Sequence, residues 1–305
     1  MKILAITGAG ISASSGLPTY RGEDGLYTKI EKRSGARIED LLSIDAFKKD
    51  PAKVWHHWRD LSLEIYKASP SPTHQALATL SRHYRIGKPE NFSPSVLAPL
   101  RDFEAIATTK LNESGSNHFL EVTQNVDCLS KVAGVHRKDV VELHGNYHQH
   151  WCTHCRAESV LEIHPEMEIP PMCKICKSAV AIMRPRVTMF GEGLNPHAVT
   201  FCEEYARRAH MILIIGTSLQ FHYLASLIKA AVNEFWRDPL LVYVDPHASP
   251  YKSTLLALDS DLEIENRLIC IRKNSDEVIP KLVDFLVSKG PSREELEEWC
   301  KAEKS

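Results

Sequence analysis

Short apolar runs alternating with amphipathic stretches predict an α/β fold: a doubly wound, parallel sheet covered by helices on both faces. A glycine-rich turn directly after the first run and two cysteine pairs late in the chain refine that prediction. They imply a nucleotide-binding sheet of the Rossmann-like kind joined to a smaller zinc-binding and helical domain.

The strands come first. KILAIT (2–7), HFLEVTQ (118–124), VVELHG (140–145), MILIIG (211–216), LLVYVD (240–245) and RLICI (267–271) are bounded by turn residues. Several are nearly continuous in hydrophobicity instead of alternating, as in parallel strands buried on both faces. Helical periodicity fills the intervals at 45–67, 72–82, 199–208, 221–236 and 275–288. Two stretches break the alternation. Residues 146–184 hold the cysteine pairs, and residues 83–117 read as a Pro-, Asn- and Ser-rich surface insertion. The charged tail 291–305 predicts a helix on the outside. One unit results, with a nucleotide domain from about 1–30, 118–145 and 185–290. The small domain takes 31–82 (helical) and 146–184 (zinc module).

Bulk properties exclude several classes. The formal net charge is −2 from 37 basic and 39 acidic residues, with no basic stripe of the kind nucleic acid requires. The apolar runs are far too short to cross a bilayer, so neither membrane nor nucleic acid is an expected partner. Met1-Lys2-Ile3-Leu4 runs straight into a strand, with no signal peptide or presequence pattern. Eight cysteines, four of them in C-x-x-C pairs, suit metal in a reducing compartment better than disulfides. The expected location is intracellular, in cytoplasm or nucleus in preference to mitochondrion. Oligomeric state is left open.

Gly8-Ala9-Gly10-Ile11-Ser12-Ala13 fits G-x-G-x-x-G/A after a strand and opening a helix. Glycines there allow a tight turn, and the helix start presents N–H groups to a pyrophosphate. The acidic residue expected at the end of a second strand about twenty residues later is missing. SSGLPTYRGEDGLY (14–27) stands in that place, so this is not an ordinary dehydrogenase.

Cys152-x2-Cys155 and Cys173-x2-Cys176, seventeen residues apart, have the spacing of a four-cysteine zinc site. Four thiolates leave no open coordination position, so one structural Zn2+ is expected. The alternative is four ordinary thiols. His148, His150 and His154 read as surface histidines of the module, and Cys128, Cys202, Cys270 and Cys300 as core or surface thiols.

A chain carrying GAGISASSGLPTYRG (8–22), PTH (72–74), TQNVDCL (123–129), VELHGN (141–146), both cysteine pairs, MRPRVTMFGE (183–192) and GTSL (216–219), in that order, resembles the sirtuin family. The resemblance implies NAD-dependent removal of acyl groups from protein lysines, releasing nicotinamide and O-acyl-ADP-ribose. NAD would be a co-substrate, and acyl-lysine proteins or peptides the partners. It implies that Gly8, Ala9, Gly10 and Ser12 lie at the phosphates and that Tyr20 and Arg21 shield the reacting ribose. Gln124, Asn125 and Asp127 would hold the nicotinamide end. Gly216, Thr217 and Ser218 would line the phosphate and adenosine side, with Asp245 accepting from ribose hydroxyls. Residues 187–190 would pair with the substrate backbone as an added strand. His144, at a strand's carboxyl end, takes the position of the base that deprotonates a ribose hydroxyl.

Departures from the family pattern are Thr19 for Asp after Pro18, a variant associated with broader deacylases, and Cys128 and Ser130 in TQNVDCLS. Gln220-Phe221-His222-Tyr223 stands where V-x-P follows GTSL. Sirtuins preferring succinyl or malonyl lysine carry a Tyr-x-x-Arg pair on a helix. In the ungapped register those positions are Trp58 and Leu61, with Arg59 two residues early, which predicts neutral acyl groups, acetyl or longer. A gapped register using Arg59 and His56 would restore acidic acyl groups. ADP-ribose transfer to a protein side chain and a non-catalytic NAD-binding module are the other readings.

Overall fold

The computed structural model describes residues 1–19, 37–84, 118–232, 238–248 and 264–304, the side chains of residues 265 and 266 excepted. Tyr20 and Arg21, and the expected insertion beyond residue 84, lie outside these residues.

The strands are β1 (Lys2–Thr7), β2 (His118–Thr123), β3 (Val140–Glu142), β4 (Gly145–Cys152), β5 (Glu158–Ser159), β6 (Met183–Val187), β7 (Met211–Ile215), β8 (Leu240–Val244) and β9 (Leu268–Ile271). β3-β2-β1-β7-β8-β9 form one sheet in that order, with every pairing parallel. Counted by their own succession these strands run 3-2-1-4-5-6, the doubly wound order. The direction of winding reverses between β1 and β7, and their carboxyl ends open a crevice there. The second strand therefore exists, but it begins at His118, after the intervening segments, instead of about twenty residues after the glycine turn.

Alternate residues explain the unbroken hydrophobicity. Leu4, Ile6, Leu120, Val122, Ile212 and Ile214 face one core. Ile3, Ala5, Phe119, Met211, Leu213 and Val242 face the other. Each strand is thus apolar on both sides.

Helices α1 (Ile44–Lys49), α2 (Pro51–Lys67) and α3 (Pro72–His83) lie between β1 and β2, and α4 (Leu129–Ala133) follows β2. After the second sheet come α5 (Pro196–Arg207), α6 (His222–Val232), α7 (Ser275–Lys289) and α8 (Arg293–Glu303). The helical pattern at 45–67 is divided at Asp50, whose carboxylate caps α2 by accepting from Lys53 N at 3.0 Å, with Pro51 in the first turn. Ser71 and His74 cap α3 reciprocally. Asp276 accepts from Ser14, 2.5 Å away, and from the backbone and hydroxyl of Thr73. The PTH segment is thereby pinned between the glycine turn and α7, and α3 packs with the sheet's second core. The tail helix α8 also docks, burying Leu296 and Cys300 in that core.

The second sheet, β5-β4-β6, is antiparallel and carries the cysteine pairs. Its bond to α2 is specific. Trp55 donates from Nε1 to the Met183 carbonyl at 2.7 Å and stacks on His150 at 5.7 Å and 13°. His150 is fully buried, not a surface residue: the helical and zinc-bearing segments meet over its ring. His154 is exposed, as expected, and His148 is half-buried against Tyr66. Cys128, Cys202, Cys270 and Cys300 are all buried.

Candidate active site

A cleft of about 910 Å³ opens where the sheet reverses. Gly8, Ala9, Gly10, Gln124, His144, Gly216, Thr217, Ser218 and Asp245 all border it. Motifs far apart in the sequence meet because each ends a strand of one parallel sheet.

The glycines have a sharper reason than a tight turn. A Cβ on Gly10 would sit 2.6 Å from Gly216 Cα, and one on Gly8 2.7 Å from the Gly216 carbonyl. Gly216 itself has φ +58, and its Cβ would stand 2.7 Å from Ile11 N. The two loops press backbone on backbone, and Gly10 N donates to the Gly216 carbonyl at 2.9 Å. That amide is spent holding the loops together. The segment that follows is a short 3-10 helix, Ala9–Ser15. The expected row of N–H groups facing a phosphate is correspondingly shorter.

Beneath the cleft lies a recess of about 40 Å³ lined by Ser12, Asn125 and Asp127 with Leu61 and Ile65. Ser12 donates to Asp127 at 2.7 Å, and Asn125 Nδ2 donates to the Gly8 carbonyl at 3.1 Å. The Oδ1 of Asn125 is buried with no partner among the described residues. An acceptor so placed fits a ligand that brings a donor, as a carboxamide or a ribose does. Gln124 donates to Thr217 Oγ1 at 2.7 Å, tying the β2 and β7 loops.

His144 stands at the floor. Its Nδ1 is 2.9 Å from the Gln124 carbonyl, which only accepts, so Nδ1 carries the hydrogen and Nε2 the lone pair. Burial lowers the imidazole pKa, and the bond to Gln124 offsets part of that by favouring the charged ring. The ring is neutral near pH 7 and able to accept a proton.

Glu142 organises the wall behind it. It pairs with the buried Lys131 at 2.6 Å and accepts from Asn146 at 2.8 Å and from Cys128 Sγ at 3.2 Å. Cys128 has φ 63, a left-handed conformation that explains why the family pattern places glycine there. Ser130 donates to Glu121, a fully buried carboxyl on β2 that also accepts from Thr7 and whose pKa burial pushes up to about 7. Sequence reading gave Glu121 no role; a lone Glu inside an apolar run was the available signal.

Trp58 and Leu61 border the cleft, one turn apart on α2. Arg59 points elsewhere, donating to the Pro165 carbonyl at 3.0 Å and to Asp60, while His56 is exposed. The stretch 187–190 also borders the cleft, but its amides are engaged: Thr188 N with the His144 carbonyl, Phe190 N with Leu42, Met189 N with Glu192. The amides of residues 188–190 are thus already bonded within the chain in this conformation.

The four module cysteines converge, every pair of sulfurs lying within 4.8 Å. Cys152–Cys176 and Cys155–Cys173 are each 3.8 Å apart. The edge of a tetrahedron with Zn–S of about 2.3 Å is about 3.8 Å, so the donors fit zinc. Arg156 and Lys177, directly after each pair, both have positive φ, so the two knuckles turn alike.

A doubly wound sheet whose reversal point carries a neutral histidine, beside a closed four-thiolate knuckle, defines a nucleotide-using enzyme with a structural metal module. A family model described as "Sir2 family" matches residues 8–88 and 95–222, and the chain belongs to that family. An "NAD-dependent protein deacylase" of Aquifex aeolicus is 36% identical over 219 residues, 72% of this chain and 73% of that protein. One of the same description from Pyrococcus furiosus is 32% identical over 287 residues, 92% of this chain and 91% of its own length. Among solved structures, a "Sir2 homolog-NAD complex" is similar with a TM-score of 0.67 and 28% identity, over 95% of this chain and 91% of that one. No helix among the described residues is long and apolar enough to cross a membrane.

Proposed function

We propose that this chain removes neutral acyl groups, acetyl or longer, from lysine side chains of proteins, with His144 as the general base. NAD-dependent protein deacylation is the activity of the family to which it belongs, and NAD is its co-substrate. Bound NAD supplies the ribose carbon that accepts the acyl oxygen as nicotinamide leaves. The chain's own residues do the rest. Gln124, Asn125 and Asp127 bind the nicotinamide end, Ser12 and the joined loops at Gly10 and Gly216 position the phosphates, and Asp245 takes the adenosine side. The neutral His144 accepts a ribose hydroxyl proton. Cys152, Cys155, Cys173 and Cys176, none of which lines the cleft, hold one zinc.

The observation that carries the acyl preference is the wall made by Trp58 and Leu61, with Arg59 turned outward to Pro165. A carboxylate buried against that wall without a cation costs several kcal/mol. The test compares kcat/KM for acetyl, longer neutral acyl and succinyl forms of one peptide. Acetyl or a longer neutral chain should win by about 10²-fold or more, and Arg59→Met should leave the order unchanged. A succinyl preference lost in Arg59→Met would assign Arg59 to the acyl pocket and overturn the proposal.

We infer a two-part organisation: the parallel sheet with α3 and α5–α8 as the nucleotide-binding part, and α1, α2 and the antiparallel module as the smaller one. The third core, centred on Trp55, Trp58, Tyr147 and Met189, supports that division. Eight unpaired cysteines support an intracellular, reducing location.

A further inference from the structure

His144 borders the cleft, but its basic atom is covered. With Nδ1 bound to the Gln124 carbonyl, Nε2 is the basic atom of His144, and the Tyr223 hydroxyl lies 2.8 Å from it. A lone pair faces that hydroxyl, so Tyr223 donates. Any proton bound for His144 meets the phenol first.

The phenol is held in place. Tyr223 opens α6, its ring packs on the sheet's first core, and Phe221 stacks on it at 5.6 Å and 20°. Both rings stand edge-on to the imidazole, at 5.7 and 5.8 Å. Both belong to the Gln220–Tyr223 segment that departs from the family pattern after GTSL. A ring anchored on three sides is suited to passing a proton, not to swinging away for each turnover.

We propose that Tyr223 is a proton relay, interposed between a ribose hydroxyl of the bound co-substrate and His144. A phenol oxygen that donates to Nε2 retains acceptor capacity. As the ribose O–H bond breaks, its proton passes to the Tyr223 oxygen and the electron pair stays on the ribose oxygen, which becomes the nucleophile. In the same step the phenol O–H bond breaks and an N–H bond forms at Nε2. Tyr223 ends as a neutral phenol and His144 as imidazolium, so charge and protons balance without a further reagent. The relay rests on the reading of His144 as base.

The experiment is Tyr223→Phe, which keeps the ring and its packing, beside His144→Ala. In Tyr223→Phe, deacylation should fall by roughly 10²-fold while nicotinamide exchange and the KM for NAD stay within about twofold, because only the later proton transfer is lost. In the ligand-free protein, the NMR signal of the neutral His144 Nε2 should shift in the variant, since its lone pair loses the phenol's hydrogen bond. Glu192, Asp245 and His247, the other charged or imidazole groups on the cleft wall, are unaltered by the substitution. Wild-type deacylation in Tyr223→Phe with His144→Ala inactive would overturn the relay and leave the base. Equal loss of exchange and deacylation would make Tyr223 a positioning residue and likewise overturn the relay. An unmoved Nε2 signal would remove the hydrogen bond on which the relay stands. Near-normal deacylation in His144→Ala would instead overturn the base itself.

Discussion

The zinc module and the nucleotide cleft are both built by paired loops, and they differ in how far apart their parts lie. The cysteine pairs stand seventeen residues from one another, and each knuckle is set by its own backbone, with positive φ at Arg156 and at Lys177. The cleft draws on residues 8–10, 124–127, 144, 216–218 and 245, brought together by the register of a parallel sheet. The module's donors are therefore fixed by local chain geometry and closed by a metal. The cleft's groups are fixed by the packing of the whole molecule. Damage to the first should be local and complete, and damage to the second graded according to which contact is lost.

The largest effect expected is at the module. Zinc ligation contributes on the order of 10 kcal/mol to such units. Cys173→Ala should eliminate bound zinc, open residues 146–184 to limited proteolysis and abolish deacylation. The separately cored parallel sheet should retain its cooperative melt. Zinc-free protein with full activity would break the comparison from the metal side.

At the cleft, His144→Ala should lower deacylation about 10²–10⁴-fold with the fold intact and nicotinamide exchange better preserved. Unchanged turnover would show that the cleft's reactive group lies elsewhere.

Two buried histidines, His74 on α3 against the parallel sheet and His150 where α2 meets the zinc-bearing sheet, make stability depend on pH. Burial lowers His74 and His150 from the ordinary 6.5 to about 4. The folded state therefore holds them neutral while the unfolded chain protonates, so stability is full above about pH 6.5 and falls as pH drops toward 4. Neutral His74 accepts the Ser71 N–H that caps α3, a bond lost on protonation. At 1.36 kcal/mol per pH unit, each contributes about 3 kcal/mol over that window. Urea unfolding at pH 7 and at pH 4.5 should show the loss, and His150→Gln should flatten it. A pH-independent midpoint would contradict the burial argument.

The smallest effect sharpens the loop contact. Gly10→Ala puts a methyl 2.6 Å from Gly216 Cα and should destabilise by about 1–3 kcal/mol while raising the KM for NAD. Unaltered stability and KM would mean that the loops can part at little cost.

The order of motifs carried much of this site. GAG, TQN, HG and GTSL mark strand ends, and an unbroken apolar run bounded by turn residues placed β1 at Lys2–Thr7, where it is found. Periodicity also marked the helical stretches, but it ran one pattern through 45–67, where Asp50 and Pro51 end one helix and start the next. Other features were silent because they depend on contacts between distant parts. His150 reads as one more polar residue in a histidine-rich stretch until Trp55 stacks on it. Glu121 looks like an interruption in a strand until Thr7 and Ser130 donate to it.

What the sequence determined by itself is therefore local: the strands and most helices through apolar runs and periodicity, the zinc ligands through spacing, and the candidate base through a family motif at a strand end. Tertiary structure alone decided that Gly10 and Gly216 interlock, that Arg59 turns outward while Trp58 and Leu61 line the cleft, and that Tyr223 covers Nε2 of His144. The reason is physical. Periodicity and spacing act over a few residues and are written in consecutive letters. The meeting of side chains from separate strands and helices depends on crossing angles and strand register, which emerge only when the whole core has packed.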